Sequence, residues 1–396
     1  MLRFVDFNDD WQKTTLDGIA TFSKGKGISK NDISEEGIEC VRYGELYTKY
    51  GELIYNIDSK TNLNKNELVL SNKNDILIPC SGETAIDLAT ASCIQKEQVA
   101  IGGDITIIKT NQYAPFITYY LNQKRNEIAR FAQGVSIVHL YSKDFKALKM
   151  KIPSINEQKK IISLLEVLTN KEQLLEQKYQ YYQDFKKYLM QQIFAQKLRF
   201  DFKDTWDKVL LKDVAFIPKK TKLTNVEGLK LLTVKLHTKG IEINDRIKPK
   251  LTKRGRPYYI RRSGELLIGR QNFHNGGMGI VPKSLDGGIC SNAISSFNVF
   301  EDKIDVNYLY YFLARPEYYI KSERLIGGTG QKEFSEKELL KLKIDLPSLE
   351  EQNKIVDFLL NIDHKIELSE NQLNKTQEFK KGLLQQMFDN MLLFKL

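Results

Sequence analysis

Pro153-Ser154-Ile155-Asn156-Glu157-Gln158-Lys159-Lys160-Ile161 and Pro347-Ser348-Leu349-Glu350-Glu351-Gln352-Asn353-Lys354-Ile355 are two openings of one repeated segment. The offset is 347 − 153 = 194, and it continues without a gap. Under it Leu165 meets Leu359, and Phe185-Lys186-Lys187 meets Phe379-Lys380-Lys381. Gln191-Gln192 meets Gln385-Gln386, and Phe194 meets Phe388. A self-match of this length makes the chain a duplication, so the repeat has to be read before any single element.

Each copy reads as a long helix. In the first, apolar residues recur in alternating steps of four and three: Ile161, Leu165, Leu168, Leu175, Tyr179, Tyr182, Leu189 and Ile193. The second repeats the pattern with Ile355, Leu359, Ile362, Ile366, Leu373, Leu383 and Met387. Such spacing keeps one seam facing a partner helix. Polar residues also fall on it: Glu172 and Lys186 in the first copy, Ser369, Thr376 and Lys380 in the second. Pro153 and Ser154 start the helix, and Glu157 sits in the first turn, where the dipole favours a negative charge. No Gly or Pro interrupts 154–200. Roughly 40 residues make a rod of ~60 Å. An apolar stripe also fits a helix packed on an ordinary core, but the length, the lack of breakers and the second copy predict a coiled coil between the two helices.

Working outward, the chain divides into a globular segment 1–152, a helix 153–200, a second globular segment 201–346 and a second helix 347–396. The globular segments share punctuation. Leu2-Arg3-Phe4 followed by Trp11 is echoed by Leu198-Arg199-Phe200 followed by Trp206. Short strands are predicted at 40–43, 75–79, 99–101 and 105–108, a helix at 116–131 and a closing strand at 148–152. In the second segment, Glu265-Leu266-Leu267-Ile268 takes the place of Asp75-Ile76-Leu77-Ile78, and 308–312 that of 116–120. The rest hardly matches. Similar frames with dissimilar inserts imply two reading heads with different targets, spaced by the helices.

The balance of 60 Lys+Arg against 50 Asp+Glu gives a formal charge of +10, which favours an anionic partner. Cys40, Cys80, Cys93 and Cys290 are scattered, and the four histidines are not at ligand spacing, so neither a disulfide framework nor a metal site is expected. No apolar run approaches the ~20 residues needed to span a bilayer, and the first residues lack a signal-peptide core. A cytoplasmic protein without membrane contact is the expectation.

Candidate contacts to such a partner, nucleic acid above all, come from the loops. Arg246 to Arg262 holds eight Lys/Arg and no acid, and it contributes Lys253, Arg254, Arg256, Tyr258, Arg261 and Arg262. Arg270, Gln271 and Asn272 follow, side chains suited to base edges. Lys219 and Lys220 lie upstream, and Lys332 ends the Gly-rich 327–332 loop, whose place in the first segment is taken by Gly134 to His139; both precede the closing strand and read either as loops facing one ligand or as plain turns. In the first segment the candidates are Lys24, Lys26, Ser29, Lys30, Arg42, Tyr43 and Ser81. Gly25-Lys26-Gly27 lacks the spacing of a phosphate-binding Walker loop. No Asn-Pro-Pro-Tyr, His-Glu-x-x-His or Gly-x-Ser-x-Gly motif is present, so nothing argues for a catalytic centre.

Helices opening Pro-Ser-x-x-Glu-Gln and closing Phe-Lys-Lys-x-Leu-x-Gln-Gln-x-Phe, alternating with variable domains, resemble the specificity subunits of type I restriction–modification enzymes. The stretches 25–30 and 42–47 are similar to one class of that family's target-recognition domains. The resemblance implies an α+β fold. In it, the resemblance implies, two target-recognition domains are separated by two long helices that pair as an antiparallel coiled coil with an internal pseudo-twofold repeat. It implies a non-catalytic subunit that reads a split, asymmetric sequence in double-stranded DNA and docks two methyltransferase subunits, with restriction/translocase subunits joining the full complex. S-adenosylmethionine, ATP and Mg2+ are expected on those partners, and no cofactor on this chain. A coiled-coil adaptor that touches nucleic acid without reading it is the alternative.

Overall fold

The computed structural model describes residues 3–134, 137–252, 255–322 and 333–388. The chain forms two compact units, each with its own core: residues 1–175 with 372–396, and residues 176–371. Each unit therefore holds one globular domain and a part of each long helix.

The helices run Ile155–Phe194 and Leu349–Phe388, 40 residues each and related by the 194 offset. In the first unit, Ile161, Leu165 and Leu168 share a core with Leu383, Met387 and Phe388, and Glu172 pairs with Lys380 at 3.0 Å. As one helix advances the other recedes, so the pairing is antiparallel. In the second unit Leu189, Ile193 and Phe194 share a core with Ile355, Leu359 and Ile362, and Lys186 pairs with Asp363 at 2.5 Å. The seam agrees with the heptad spacing. Ile161, Leu165, Leu168, Leu189, Ile355, Leu359, Ile362, Leu373 and Leu383 are buried, while Leu175, Tyr182 and Ile366 are half-buried. Charged seam residues find opposite charges on the facing helix, and such polar pairs fix register at some cost in stability.

The Glu-Gln of each opening motif ties helix to domain. Glu157, almost fully buried, accepts two bonds from Arg3 at 2.8 Å and one from Trp11 Nε1 at 3.4 Å. Glu351 does the same with Arg199 at 2.9 and 2.7 Å and Trp206 Nε1 at 3.1 Å. Gln158 donates to Pro153 O and Gln112 Oε1, both at 2.9 Å, and accepts from Tyr113 N at 3.0 Å. Gln352 donates to Pro347 O at 2.9 Å and Lys303 O at 3.0 Å, and accepts from Asp305 N at 2.9 Å. The terminal Phe of each closing motif is equally committed. Phe388 stacks on Phe116 at 5.6 Å in the first unit, and Phe194 meets Phe312 at 5.6 Å in the second.

Both domains share a strand frame. In the first, Gln12–Thr15 pairs antiparallel with Lys149–Ile152, and Ile105–Thr110 lies between Ala20–Lys24 and Ile76–Pro79. In the second, Asp207–Leu210 pairs with Lys343–Leu346, and Ile294–Val299 lies between Ala215–Phe216 and Leu266–Gly269. Around that frame the sheets diverge. The first domain extends to five strands and adds a four-stranded sheet; the second has a four-stranded sheet and separate two-stranded ribbons.

Two local expectations change. Arg42 and Tyr43 leave the strand: Ile38–Val41 ends there, and Tyr43–Thr48 is a helix whose start Glu45 caps by accepting from Arg42 N at 2.9 Å. The helix expected over 116–131 is broken into Ala114–Gln123, Arg125–Ile128 and a short 3-10 turn, Ala129–Phe131. It unwinds at Lys124, where ψ is 10°. Just before it, Asn122 commits its carboxamide to both backbone groups of Ala91 at 2.8 and 2.9 Å.

Candidate nucleic-acid interface

In the first domain the strand frame brings several loops to one end. Ala20–Lys24 finishes where Ile105–Thr110 begins, with Lys24 opposite Thr106. Ile76–Pro79 finishes at the same place, with Pro79 opposite Ile105. The 24–30 loop lies on the 101–103 turn: Gly25 N donates to Ile105 O and Lys26 N to Ile101 O, both at 3.0 Å. A side chain at Gly25 would sit 2.0 Å from Gly102 O, so this glycine serves close backbone approach. Gly102 N donates to Val41 O at 2.8 Å, which brings Arg42 to the same end. Asp104, in the left-handed region at φ 57°, turns the chain and accepts from Cys80 N at 2.6 Å.

Lys24, Lys26 and Arg42 therefore converge with Ser81. Lys24, Lys26, Ser29 and Lys30 are exposed, as is Tyr43. Ser29 also caps the short Lys30–Asp32 turn, donating its backbone N–H to the Asp32 carboxylate at 2.7 Å, and the Ser29 hydroxyl together with that N–H holds the carboxyl below its usual range. Arg42 is half-buried, and its Nε has no partner among the described residues. Ser81 is buried and bonds His139 Nδ1 at 3.0 Å. His139 stacks on Tyr141 at 6.0 Å, and Lys24 and Lys143 approach the Tyr141 ring to 5.5 and 5.6 Å.

The second domain spreads its candidates more widely. Lys219, Arg256 and Asn272 are exposed, and Tyr258 is half-buried. Arg262 is exposed and faces Asp286 at 3.3 Å. Lys220 reaches Ile260 O at 2.8 Å and the Glu265 carboxylate, and burial lowers its pKa despite that carboxylate. Arg261 is buried and donates to Ile294 O at 2.6 Å. Arg270 pairs with Glu333 at 2.7 Å, and Gln271 reaches the same carboxylate at 3.4 Å. Lys220, Arg261 and Arg270 line one polar cleft with Tyr259 and Ser295. Lys253, Arg254 and Lys332 lie outside the described residues, as does the 327–332 loop.

Tyr141, Lys143, Asp286 and Glu333 are side chains at these sites that sequence reasoning did not select, and His139 was reached only as the end of the 134–139 loop. His139 and Glu333 carried a usable signal: 333 − 139 = 194, the offset of the helices. Among the described residues no group of three His, Cys, Asp or Glu could hold a metal ion, and no helix is long and apolar enough to cross a membrane.

The class defined here is a tandem of two like α/β domains, each joined to a long helix and carrying a different loop set on a common frame. The chain belongs to the type I restriction modification DNA specificity domain family, whose model matches residues 8–181 and again 203–378. It is 24% identical over 398 residues to the type I restriction enzyme MjaVIII specificity subunit of Methanocaldococcus jannaschii, covering 95% of this chain and 91% of that one. Its fold is similar to the crystal structure of a type I restriction–modification S subunit from M. genitalium. That match has a TM-score of 0.65 at 17% identity, over 97% of this chain and 98% of the other. A chain from a study of type I restriction–modification complex assembly and conformational transition aligns with a TM-score of 0.54 at 16% identity, over 96% of this chain and 98% of that one.

Proposed function

We propose that this chain is the sequence-reading subunit of a type I restriction–modification complex, with each domain recognising one half of a split, asymmetric site in double-stranded DNA. The observation that carries the reading is the doubled frame: the same strands and the same helix anchors present dissimilar polar side chains at the same end of each domain. Identical heads would serve a palindrome, whereas unlike heads fit two unrelated half-sites. The helices set the unspecified gap by their length and dock two methyltransferase subunits. Those partners supply S-adenosylmethionine and methylate adenine at N6. Restriction/translocase subunits joining the same assembly use ATP and Mg2+. This chain itself reads DNA without catalysing a reaction and binds no cofactor.

The test is selection from random duplexes by the chain assembled with its methyltransferase subunits, followed by sequencing. Enrichment of two unlike half-sites at one fixed gap is expected. Binding with no enriched sequence would leave a nucleic-acid adaptor and overturn the proposal.

A further inference from the structure

One backbone hydrogen bond recurs at equivalent places in the two domains, flanked by different side chains. In the first domain, Leu140 N donates to Cys80 O at 2.9 Å, immediately after the strand Ile76–Pro79. In the second, Phe334 N donates to Arg270 O at 3.0 Å, immediately after Leu266–Gly269. Leu140 and Phe334 are related by the helix offset, 334 − 140 = 194. Both are fully buried, so the backbone there is fixed by packing and by the bond.

The flanking side chains are paired across the junction in each case. Ser81 Oγ holds His139 Nδ1 at 3.0 Å, leaving His139 Nε2 with no partner among the described residues. The imidazole is braced flat against Tyr141, 8° from parallel. In the second domain, Glu333 takes the place of His139. It accepts from Arg270 at 2.7 Å and from Gln271 at 3.4 Å; Arg270 Nε is buried, so the donors this half-buried guanidinium has left for a base are those of its terminal nitrogens. The first junction thus offers one ring nitrogen beside the lysines over Tyr141, and the second an arginine held in place by a carboxylate. Both are preorganised side chains with hydrogen-bonding capacity to spare, which direct base readout requires. Phosphate contact would need neither the matched positions nor the bracing partner.

We propose that these two junctions are the specificity-determining groups. His139, positioned by Ser81, reads a base in one half-site, and Arg270, positioned by Glu333, reads a guanine in the other. The inference rests on the split-site reading above and assigns residues to it.

The experiment repeats the random-duplex selection with full-length His139→Gln, Ser81→Ala, Ser81→Thr, Arg270→Lys and Glu333→Gln chains, each assembled with the methyltransferase subunits. Loss of a good base contact lowers discrimination at one base pair by roughly 5- to 150-fold. H139Q and S81A should relax one position in one half-site and leave the other half unchanged. S81T, which keeps the hydroxyl, should retain the wild-type preference. R270K and E333Q should relax a guanine in the opposite half only. Thermal melting separates misfolding from lost readout, and His139→Asn replaces any His139 variant that does not fold. Uniform weakening on all sequences, or unchanged preference, overturns the assignment. A wild-type chain that selects no split sequence defeats the underlying reading instead.

Discussion

Replacing Gln158 with alanine tests whether the Glu-Gln signature is a structural anchor. Its side chain is fully buried and makes three hydrogen bonds, two of which go to backbone groups, Pro153 O and Tyr113 N. The variant strands both. A buried polar group without a partner costs about 1–3 kcal/mol, so with two groups stranded Q158A should lose about 2–6 kcal/mol. For a unit of this size the thermal midpoint should fall on the order of 10 °C. Leucine fills the volume but strands the same groups, so Q158L should be nearly as destabilised as Q158A. The repeat supplies an internal control: Q352A strands Pro347 O, Lys303 O and Asp305 N. Its loss should match or exceed that of Q158A. Denaturant unfolding gives the energies, and amide exchange gives the location, with Tyr113 opening in one variant and Asp305 in the other. A loss below about 0.5 kcal/mol, the scale of neutral surface changes, in both alanine variants would refute the anchoring argument.

Replacing Lys24, Lys26 and Lys30 together with alanine should weaken DNA binding and reduce the salt slope by about 0.9 per lost phosphate contact; an unchanged slope places these lysines off the backbone. Deleting seven residues at matched positions in both long helices should shorten the gap between half-sites and keep the bases of each; altered bases would contradict the helices' role as spacer. The cysteines give a pH test. Burial pushes Cys40 and Cys290 up to about 11 and Cys93 to about 12, and raises Cys80 as well. Folded protein at pH 8 should resist alkylation, with labelling tracking unfolding, and rapid native-state labelling would contradict the burial. Because the folded thiols bind protons more tightly than unfolded ones, stability from this source is intact below about 8.5 and is lost as pH rises above it.

Much of this architecture was legible because the helices obey one periodic rule. Steps of four and three mark Ile161, Leu165 and Leu168 as one face without reference to any other part of the chain. Glu172 and Lys186 broke the apolar pattern, and only their partners, Lys380 and Asp363, explain them. The domains were less legible because their strands are short and their pairings distant in sequence. Ile105–Thr110 is held by residues some 30 and 80 positions upstream. Gly25-Lys26-Gly27 lacked Walker spacing and so had no stated role in the sequence, whereas the structure shows that Gly25 is required by the Gly102 backbone across from it. Charge density drew attention to 246–262, but density does not reveal partners. Arg262 faces Asp286, and Arg261 is buried against Ile294 O. His139 ended a loop read as a plain turn or a ligand loop, Glu333 lay just past its counterpart, and the 194 offset marks the two as equivalent.

A methylome of cells carrying this chain with its methyltransferase subunits, compared with cells carrying the methyltransferase subunits alone, decides whether this chain chooses the DNA. Methylated adenines should be confined to one split motif of two unlike halves at a single gap, and present only with this chain. Methylation of the same sites without it, or of no defined motif with it, would contradict the account.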